Sequence, residues 1–247
     1  MSYVNTSKVS IRKINGEIAK RMVVKHHYSH SLNKYSFALG IYYDTETENQ
    51  FFAGKNEDLI GCIVYGDPVG SNVIRGISNL LNNGEVLELM RLFIYDFPNS
   101  KNIESYCIAQ SFHWIRKNMP HIKVIVSYAD PVQKHLGKIY QATNWLYQGC
   151  SPTWSTPNYR IRIDPEGKWI HSRTVCSRYG SQNIDILKKA IGKTFYRKLD
   201  PNKHRYLYVL TNDKRERKKL IGSIKQPILP YPKEIDPLID KIETIEV

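Results

Sequence analysis

The alternation of apolar and polar residues is clearest in the middle of the chain, where it predicts strands and helices in turn. An apolar strand over Val86–Tyr95, an amphipathic helix over Asn102–Asn118 and a second apolar strand over Ile122–Ala129 follow one another. Asp130–Pro131 suits the start of another helix, predicted to run to Thr143, because Asp is a good N-cap and Pro a good first helical residue. With a strand over Trp145–Gln148 behind it, this order predicts an α/β fold.

The flanking regions carry weaker patterns. Upstream, Ser7–Lys25 has helical spacing, Tyr35–Tyr43 and Leu59–Tyr65 are typical of strands, and Gly66–Gly84 reads as a long loop with a short helix, a length that favours a functional loop. Downstream, the pattern predicts a hairpin of Tyr159–Ile163 with Lys168–Val175, helices over Ile184–Ile191 and Asp213–Leu220, and a strand over Arg205–Leu210. The acidic tail Glu234–Val247 is expected to be peripheral or disordered.

Charge is segregated along the sequence. The net charge is +13, and the stretch from Arg160 to Lys233 holds 19 Lys and Arg against 6 Asp and Glu, while the remainder holds 17 of each sign. A basic part beside a neutral part indicates a polyanion-binding surface attached to a chemical core. We therefore predict a catalytic core over residues 1–155, a basic nucleic-acid-binding extension of α+β type over 156–233 and an acidic tail over 234–247. The candidate DNA contacts are Arg160, Arg162, Arg173, Arg178 and Arg205; for each, a solvated surface charge is the alternative.

Other features narrow the class of protein. The N-terminus has no apolar signal segment and no stretch has the length of a membrane span, so an intracellular protein, in the bacterial cytoplasm, is expected. Four widely spaced cysteines argue against a disulfide framework or a cysteine-rich zinc site, and Cys62 and Cys107 are predicted in core elements. Walker A, G-x-S-x-G, H-E-x-x-H and dinucleotide glycine motifs are absent, which leaves a nuclease with scattered acidic ligands open.

Three places in the sequence could carry chemistry. Ser127 and Asp130 lie at the carboxyl end of an apolar strand, where ligands of α/β sheets bind, although Asp130 also fits a simple helix cap. Tyr140 is either a core tyrosine or a general acid. The run His26–His30 (HHYSH) suggests a metal, but its spacings are not those of zinc-binding helices, so the pattern favours a polar active-site lip and leaves a metal open.

Several of these segments resemble the Mom family of phage DNA-modification proteins. The resemblance rests on VSYADPVQKHLGKIYQATNWLYQG (Val126–Gly149), on ELMRLFI (Glu88–Ile94) and on HHYSH, with HSRTVCSRYGS, KHRYLY and PYPK further on. It implies the GNAT fold, a mixed central sheet with flanking helices. It also implies transfer of an N6-carbamoylmethyl-type group to adenine in double-stranded DNA, which protects phage DNA from restriction, with acetyl-CoA or a related acyl compound as donor.

The resemblance also assigns residues. It places the functional aspartate at Asp130, the tyrosine at Tyr140, the strand arginine at Arg91 and the His-Tyr pair at His27 and Tyr28; Ser127 is added from the strand-end argument. In a GNAT fold the two apolar strands splay, and the cofactor would bind along the first strand and at the start of the following helix. This makes Arg91, Leu92, Phe93, Asn102 and Ser105 the candidate cofactor contacts. The usual glycine-rich loop is replaced by Asn99–Ser105, which has no glycine.

Two rival functions share parts of this pattern. A generic N-acetyltransferase acting on protein or small-molecule amines would use the same core but would not need the basic extension. A non-enzymatic DNA-binding protein would need the extension alone.

Overall fold

The computed structural model describes residues 3–32, 34–44, 57–69, 72–96, 100–151 and 157–247. The strands are β1 (Val9–Ile14), β2 (Phe37–Asp44), β3 (Glu57–Gly66), β4 (Val86–Ile94), β5 (Val124–Ala129), β6 (Leu146–Ser151), β7 (Tyr159–Arg162), β8 (Phe195–Leu199), β9 (Lys203–Val209) and β10 (Ile242–Ile245). The helices are α1 (Gly16–His26), α2 (Asn72–Ile77), α3 (Ile103–Asn118), α4 (Lys138–Gln141), α5 (Ser172–Tyr179), α6 (Ile184–Ile191) and α7 (Lys214–Gly222). The predicted mixed α/β architecture is confirmed.

The chain forms two compact units. The first comprises residues 1–128, 138–148 and 206–229, and the second comprises residues 129–137, 149–205 and 230–247. These bounds differ from the division at residues 155 and 233 that charge suggests, which stays a prediction. Within the helices that the structure describes, none is long and apolar enough to cross a membrane.

A seven-stranded sheet runs in the order β1-β2-β3-β4-β5-β9-β6. Strands β1 to β4 form an antiparallel meander, whereas β4 and β5 are parallel. Strand β9 lies between β5 and β6, although some 50 residues separate it from β6 in sequence. Residues that the charge pattern assigns to the basic extension therefore complete the central sheet.

Two apolar clusters hold the first unit together. One packs α1 against the sheet through the buried Ala19 and Val23 on the helix and Ala38 and Val64 on the strands. The other packs α2 and α7 against the opposite part of the sheet and contains Ile77, Leu81, Val126, Leu207 and Leu220. Each fully buried aliphatic side chain of this kind contributes about 1.5–3 kcal/mol.

The segment predicted as one helix over Ser7–Lys25 is instead β1 followed by α1, so that prediction is wrong. In β1, Val9 and Ile11 alternate with polar residues, and the strand pairs with β2 from Val9–Tyr43 to Ile14–Ala38. Asn15 then ends the strand and caps α1, because its side chain accepts a hydrogen bond from the Glu17 amide at 2.9 Å.

The single helix predicted from Asp130 to Thr143 is also wrong, although its cap is confirmed. Asp130 accepts a hydrogen bond from the Val132 amide at 3.0 Å, but it caps only a 3₁₀ turn over Pro131–Gln133. Lys134 (φ 58°) and Gly137 (φ 71°) adopt left-handed backbone that interrupts the helix, and α4 begins at Lys138. Tyr140 therefore lies on a separate short helix.

The second unit is a three-stranded antiparallel sheet, β10-β8-β7, with an apolar core of its own. Ile161 and Phe195 from the sheet pack with Val175 of α5 and Leu187 of α6. The predicted hairpin with Lys168–Val175 is wrong: Ile170 makes an isolated bridge to Ile161, the chain then enters α5, and β8 pairs with β7. The acidic tail is ordered too, because its residues Ile242–Ile245 form β10 beside β8.

Candidate active site of the first unit

Strands β4 and β5 separate at the point where two buried hydroxyls meet. Their parallel register runs from Val86–Val124 to Glu88–Val126, while each strand continues further. Just past the last pair, the Ser127 Oγ lies 2.8 Å from the Leu89 carbonyl oxygen and 2.7 Å from the Tyr140 hydroxyl oxygen. The predicted splaying of the two strands is confirmed, and the structure brings two of the predicted site residues into contact.

Burial governs the protonation of Tyr140. The side chain is 7% exposed, and burial raises its pKa to about 12, a rise that the Ser127 hydrogen bond opposes and that the nearby Tyr28, Glu88 and Tyr206 reinforce. The phenol therefore keeps its proton at neutral pH. Such a group can donate a proton to a stronger base but does not act as a base itself.

Aromatic rings fix the position of Tyr140. Its ring centroid lies 4.9 Å from that of Trp145 and 5.1 Å from that of Tyr206. Gln141 donates a hydrogen bond to the Tyr206 hydroxyl at 3.3 Å. Neither Tyr206 nor Glu88 was predicted as a site residue, because both lie within regular strand patterns that indicate structure alone.

The HHYSH segment is held by Arg91 on β4. The His27 Nδ1 accepts a hydrogen bond from the Ser29 amide at 3.1 Å and lies 2.8 Å from the Ser29 Oγ. The Arg91 Nε donates to the same Ser29 Oγ at 3.0 Å and to the Ser31 carbonyl at 3.2 Å. Because the Nδ1 accepts, a neutral His27 carries its proton on Nε2. Ser29 was missed by the sequence analysis, which predicted Arg91 as a cofactor contact.

Two aromatic residues of this segment differ in exposure. The Tyr28 ring lies 4.2 Å from that of the buried His27 and is 46% exposed. The neighbouring His26 stacks on Phe93 with ring centroids 5.6 Å apart. Phe93, a predicted cofactor contact, thus supports the histidine segment, while Leu92 pairs with Ile63 in the sheet. The first unit therefore gathers Tyr28, Ser127 and Tyr140 around the end of the β4–β5 pairing.

A pocket of about 550 Å³ opens at the start of α3. Its lining includes two predicted cofactor contacts, Asn102 and Ser105, and the polar side chains of Lys101, Thr143 and Asn144. Asn102 precedes α3 in the left-handed conformation (φ 68°) and makes no side-chain cap. Asparagine tolerates this conformation better than most residues, which explains how a loop without glycine makes the turn. Residues 97–99 of this loop lie outside the described residues.

The predicted DNA contacts differ in their surroundings. In the second unit, Arg173 and Arg178 are exposed on α5, whereas Arg160 donates a hydrogen bond from its Nε to Asp200 at 2.8 Å. Arg162 lies over the rings of Trp169 and Tyr196. Arg205 is buried at 4% exposure within β9, out of reach of a surface ligand, so we do not include it among the proposed DNA contacts.

The cysteines and histidines form no obvious metal centre in the described part of the chain, where no group of three or more His, Cys, Asp or Glu comes together. Cys62 and Cys107 are buried, as predicted, and burial raises the pKa of each thiol to about 12. Both thiols are therefore protonated and unreactive at neutral pH.

Comparison with known proteins identifies the family. The sequence profile of the Mom protein family matches residues 8–233. The chain belongs to the Mom protein family. It is 26% identical over 230 residues to methylcarbamoylase mom of Escherichia phage Mu, an alignment that covers 92% of this chain and 85% of that protein.

Solved structures resemble this Mom family member only in overall fold. One is the dodecameric spermidine N-acetyltransferase from Vibrio cholerae, with a TM-score of 0.43, 9% identity and coverage of 83% of this chain and 95% of that chain. Another is Arabidopsis thaliana NAA60 in complex with a bisubstrate analogue, with a TM-score of 0.43, 8% identity and coverage of 82% and 99%. Because both scores lie below 0.5, the functional argument rests on the Mom family match and on the site.

Asp130, the functional aspartate implied by the Mom resemblance, belongs to the second unit. It directly follows β5, three residues after Ser127 along the chain. One carboxylate oxygen accepts from the Val132 amide, and the other lies 3.9 Å from the Lys203 Nζ. The capping role is thus confirmed, and the catalytic role stays a prediction.

Proposed function

We propose that this Mom family protein transfers a carbamoylmethyl-type group from an acyl-CoA-type donor to the N6 amine of adenine in double-stranded DNA, protecting phage DNA from restriction. The observation that carries the proposal is the buried pair of Ser127 and Tyr140 hydroxyls where β4 and β5 separate. This pair supplies a protonated phenol beside the gap in the sheet that the superfamily fold uses for an acyl-CoA.

The pocket at the start of α3 fits the phosphate-bearing end of such a donor. Its volume lies within the range of small-molecule sites, about 300–1,000 Å³. The start of a 16-residue helix favours an anion, and the Lys101 ammonium adds positive charge beside Asn102 and Ser105. An acyl-CoA, when bound, supplies an activated acyl group on a thiolate leaving group. The neutral residues of the pocket, Thr143 and Asn144 among them, add further hydrogen-bonding groups.

Tyr140 would protonate the leaving group. Its raised pKa keeps the phenol protonated until the reaction generates a base, and the loss of that proton creates a phenolate in a buried place. The Ser127 hydroxyl has one proton and two acceptors, the Leu89 carbonyl and the Tyr140 oxygen. It can therefore turn from the carbonyl to the phenolate as that charge develops, which stabilises the product of the proton transfer.

The N6 amine of adenine is a poor nucleophile, because its lone pair is delocalised into the ring, and it must lose a proton during transfer. The Mom resemblance makes Asp130 the proposed acceptor. Glu88 is the alternative acceptor within the first unit, because its charge raises the pKa of Tyr140 and it occupies the last paired position of β4. Asp130→Asn and Glu88→Gln distinguish the two carboxylates.

The remaining predicted residues would handle the substrate. The target base must leave the duplex stack, and an exposed Tyr28 ring beside a neutral His27 suits the edge and face of an extruded base. Arg160, Arg162, Arg173 and Arg178 would contact phosphates, which supply affinity independent of sequence.

The experiment incubates purified protein and donor with an adenine-containing duplex and measures DNA binding and base modification separately. Asp130→Asn and Tyr140→Phe are expected to bind the duplex within about twofold of the wild type, while modification falls at least about 100-fold, the usual effect of losing an acid or base. Full modification by either variant would remove that residue from the mechanism. Acetylation of amines with no change in DNA would favour the generic acetyltransferase instead.

A further inference from the structure

One face of the three-stranded sheet in the second unit collects cations and aromatic rings. In the β7–β8 register, Arg160 is paired with Lys198 and Arg162 with Tyr196. Paired residues project to the same face of a sheet, as do residues two apart on one strand. Trp169 joins this face through contacts with Arg162 and Lys198. These five residues (Arg160, Arg162, Trp169, Tyr196 and Lys198) are called the Trp169 cluster below.

The aromatic rings position the cations without neutralising them. The Arg162 guanidinium carbon lies 4.9 Å from the Trp169 ring centroid and 5.2 Å from that of Tyr196. The Lys198 Nζ lies 4.6 Å from the Trp169 centroid. Both distances are within the range of cation–π contacts. The cluster therefore holds two cationic groups around one indole.

The positive charge of the cluster is only partly balanced. Asp200 is already engaged by Arg160 at 2.8 Å and by the Ser172 amide at 3.2 Å. Burial lowers the pKa of Lys198, and so do Arg160 and Arg162, while the carboxylates of Asp240 and Asp200 offset only part of this. The Arg162 Nε is buried and has no hydrogen-bond partner among the residues that the structure describes.

Like charges in directly opposed positions destabilise a sheet, so the free protein holds these cations together at an energetic cost. An anion on this face would relieve the repulsion between Lys198 and the two arginines. We propose that the Trp169 cluster is a binding site for the phosphodiester backbone of DNA, in which Arg162 and Lys198 donate to phosphate oxygens and Trp169 fixes both donors. The identity of the polyanion rests on the proposed function.

Substitutions test the cluster against a matched control. Binding of a fluorescent duplex is measured at several salt concentrations for the wild type, Arg162→Ala, Lys198→Ala and the control Lys189→Ala, which removes an exposed positive charge from α6 of the same unit. Each cluster variant should lose about tenfold in affinity and reduce the slope of log K against log salt by about one. Lys189→Ala should stay within about twofold. Equal losses in cluster and control variants would overturn the proposal.

A neutral substitution separates a built site from a merely basic surface. Trp169→Leu leaves the net charge unchanged but removes the ring that positions Arg162 and Lys198, so about fivefold weaker binding is expected, since losing one cation–π contact costs on the order of 1 kcal/mol. Trp169→Phe keeps an aromatic face and should bind like the wild type. Wild-type binding by Trp169→Leu would contradict the role of the ring.

Footprinting of the unaltered protein removes any dependence on the folding of variants. A lysine-acylating reagent is applied with and without duplex DNA, and peptide mass spectrometry compares Lys198 with Lys189. DNA should protect Lys198 and leave Lys189 reactive. If the wild type binds and modifies DNA but Lys198 is unprotected, this inference fails and the proposed function stands. If the wild type does not bind duplex DNA at all, both fail.

Discussion

At the scale of single residues, the first unit places Ser127 where one proton serves two acceptors. Ser127 is 1% exposed and Tyr140 7%, so water does not replace either partner. Whichever way the Ser127 hydroxyl points, it satisfies the Leu89 carbonyl or the Tyr140 oxygen. A buried polar pair of this kind is costly to break and is sensitive to the ionisation of its members.

Removing the Ser127 hydroxyl should therefore affect chemistry more than folding. Ser127→Ala is expected to destabilise the protein by about 1–2 kcal/mol and to lower the modification rate about tenfold, because the phenolate loses its donor. The same change should raise the pKa of Tyr140 further, since the Ser127 hydrogen bond lowers it. Single-turnover rates and tyrosinate absorbance at alkaline pH measure the two effects. An unchanged rate would mean that Ser127 is structural.

Asp200 ties the second unit together and makes its stability depend on pH. The carboxylate is 7% exposed; burial alone would raise its pKa, but hydrogen bonds from Ser172 and Arg160 outweigh this, so the pKa lies below its ordinary value. The stabilisation is therefore present above the unfolded value, about 3.9, and is lost as the pH falls through the folded pKa. His171, with Nε2 3.5 Å from the carboxylate, adds a weaker contact.

Asp200→Asn should accordingly destabilise the second unit by roughly 1–3 kcal/mol at pH 7. The difference from the wild type should shrink as the pH is lowered toward 3, because protonation removes the same interactions. Hydrogen exchange of the α5 amides at both pH values follows this unit directly. A difference that does not change with pH would show that the carboxylate charge contributes nothing.

The residues that sequence reasoning found and those it missed differ in a physical way. Ser127 and Tyr140 were predicted because a strand end and a family motif identify them, and their contact follows from the fold. Ser29 and Glu88 were missed, because each acts through a neighbour distant in sequence, Arg91 in one case and Tyr140 in the other. Only a three-dimensional arrangement reveals such partners.

At the scale of elements, local pattern predicted the strands that are apolar throughout and failed where two periods compete. β4, α3 and β5 have unambiguous patterns and lie where predicted. The segment of β1 has three apolar residues that satisfy either a helical or a strand period, and its pairing with β2 decides between them. The acidic residues around β10 indicate a solvated tail, but pairing with β8 and the packing of Ile245 order it.

Close packing of β3 against β4 gives a test of the sheet. At Gly61 an added Cβ would overlap the Phe93 carbonyl oxygen and lie 3.0 Å from the Ile94 Cα, both backbone atoms that cannot move away. Gly61→Ala should therefore destabilise the protein by about 1–3 kcal/mol. Gly76 in α2 is the control: a Cβ there meets nothing within 4 Å, and Gly76→Ala should stabilise by up to about 1 kcal/mol. Denaturant unfolding that ranks the variants the other way would contradict the described register.

At the scale of the whole molecule, charge predicted a basic part of the chain but not its division. The positive excess begins near Arg160, yet β9 and α7 belong to the first unit together with residues 1–128. Charge density reports surface composition and carries no information on which strand inserts between two others. Truncation before Arg160 would remove β9 from the central sheet, so a shortened chain does not isolate the catalytic unit.

The central claim is that this chain modifies adenine in DNA. Mass spectrometry of nucleosides, prepared from the DNA of cells that express the wild type or Tyr140→Phe, tests it most directly. The account predicts deoxyadenosine with an added mass in wild-type cells and a loss of at least about 100-fold of this product in Tyr140→Phe cells. Unmodified deoxyadenosine in cells that contain folded wild-type protein would contradict it.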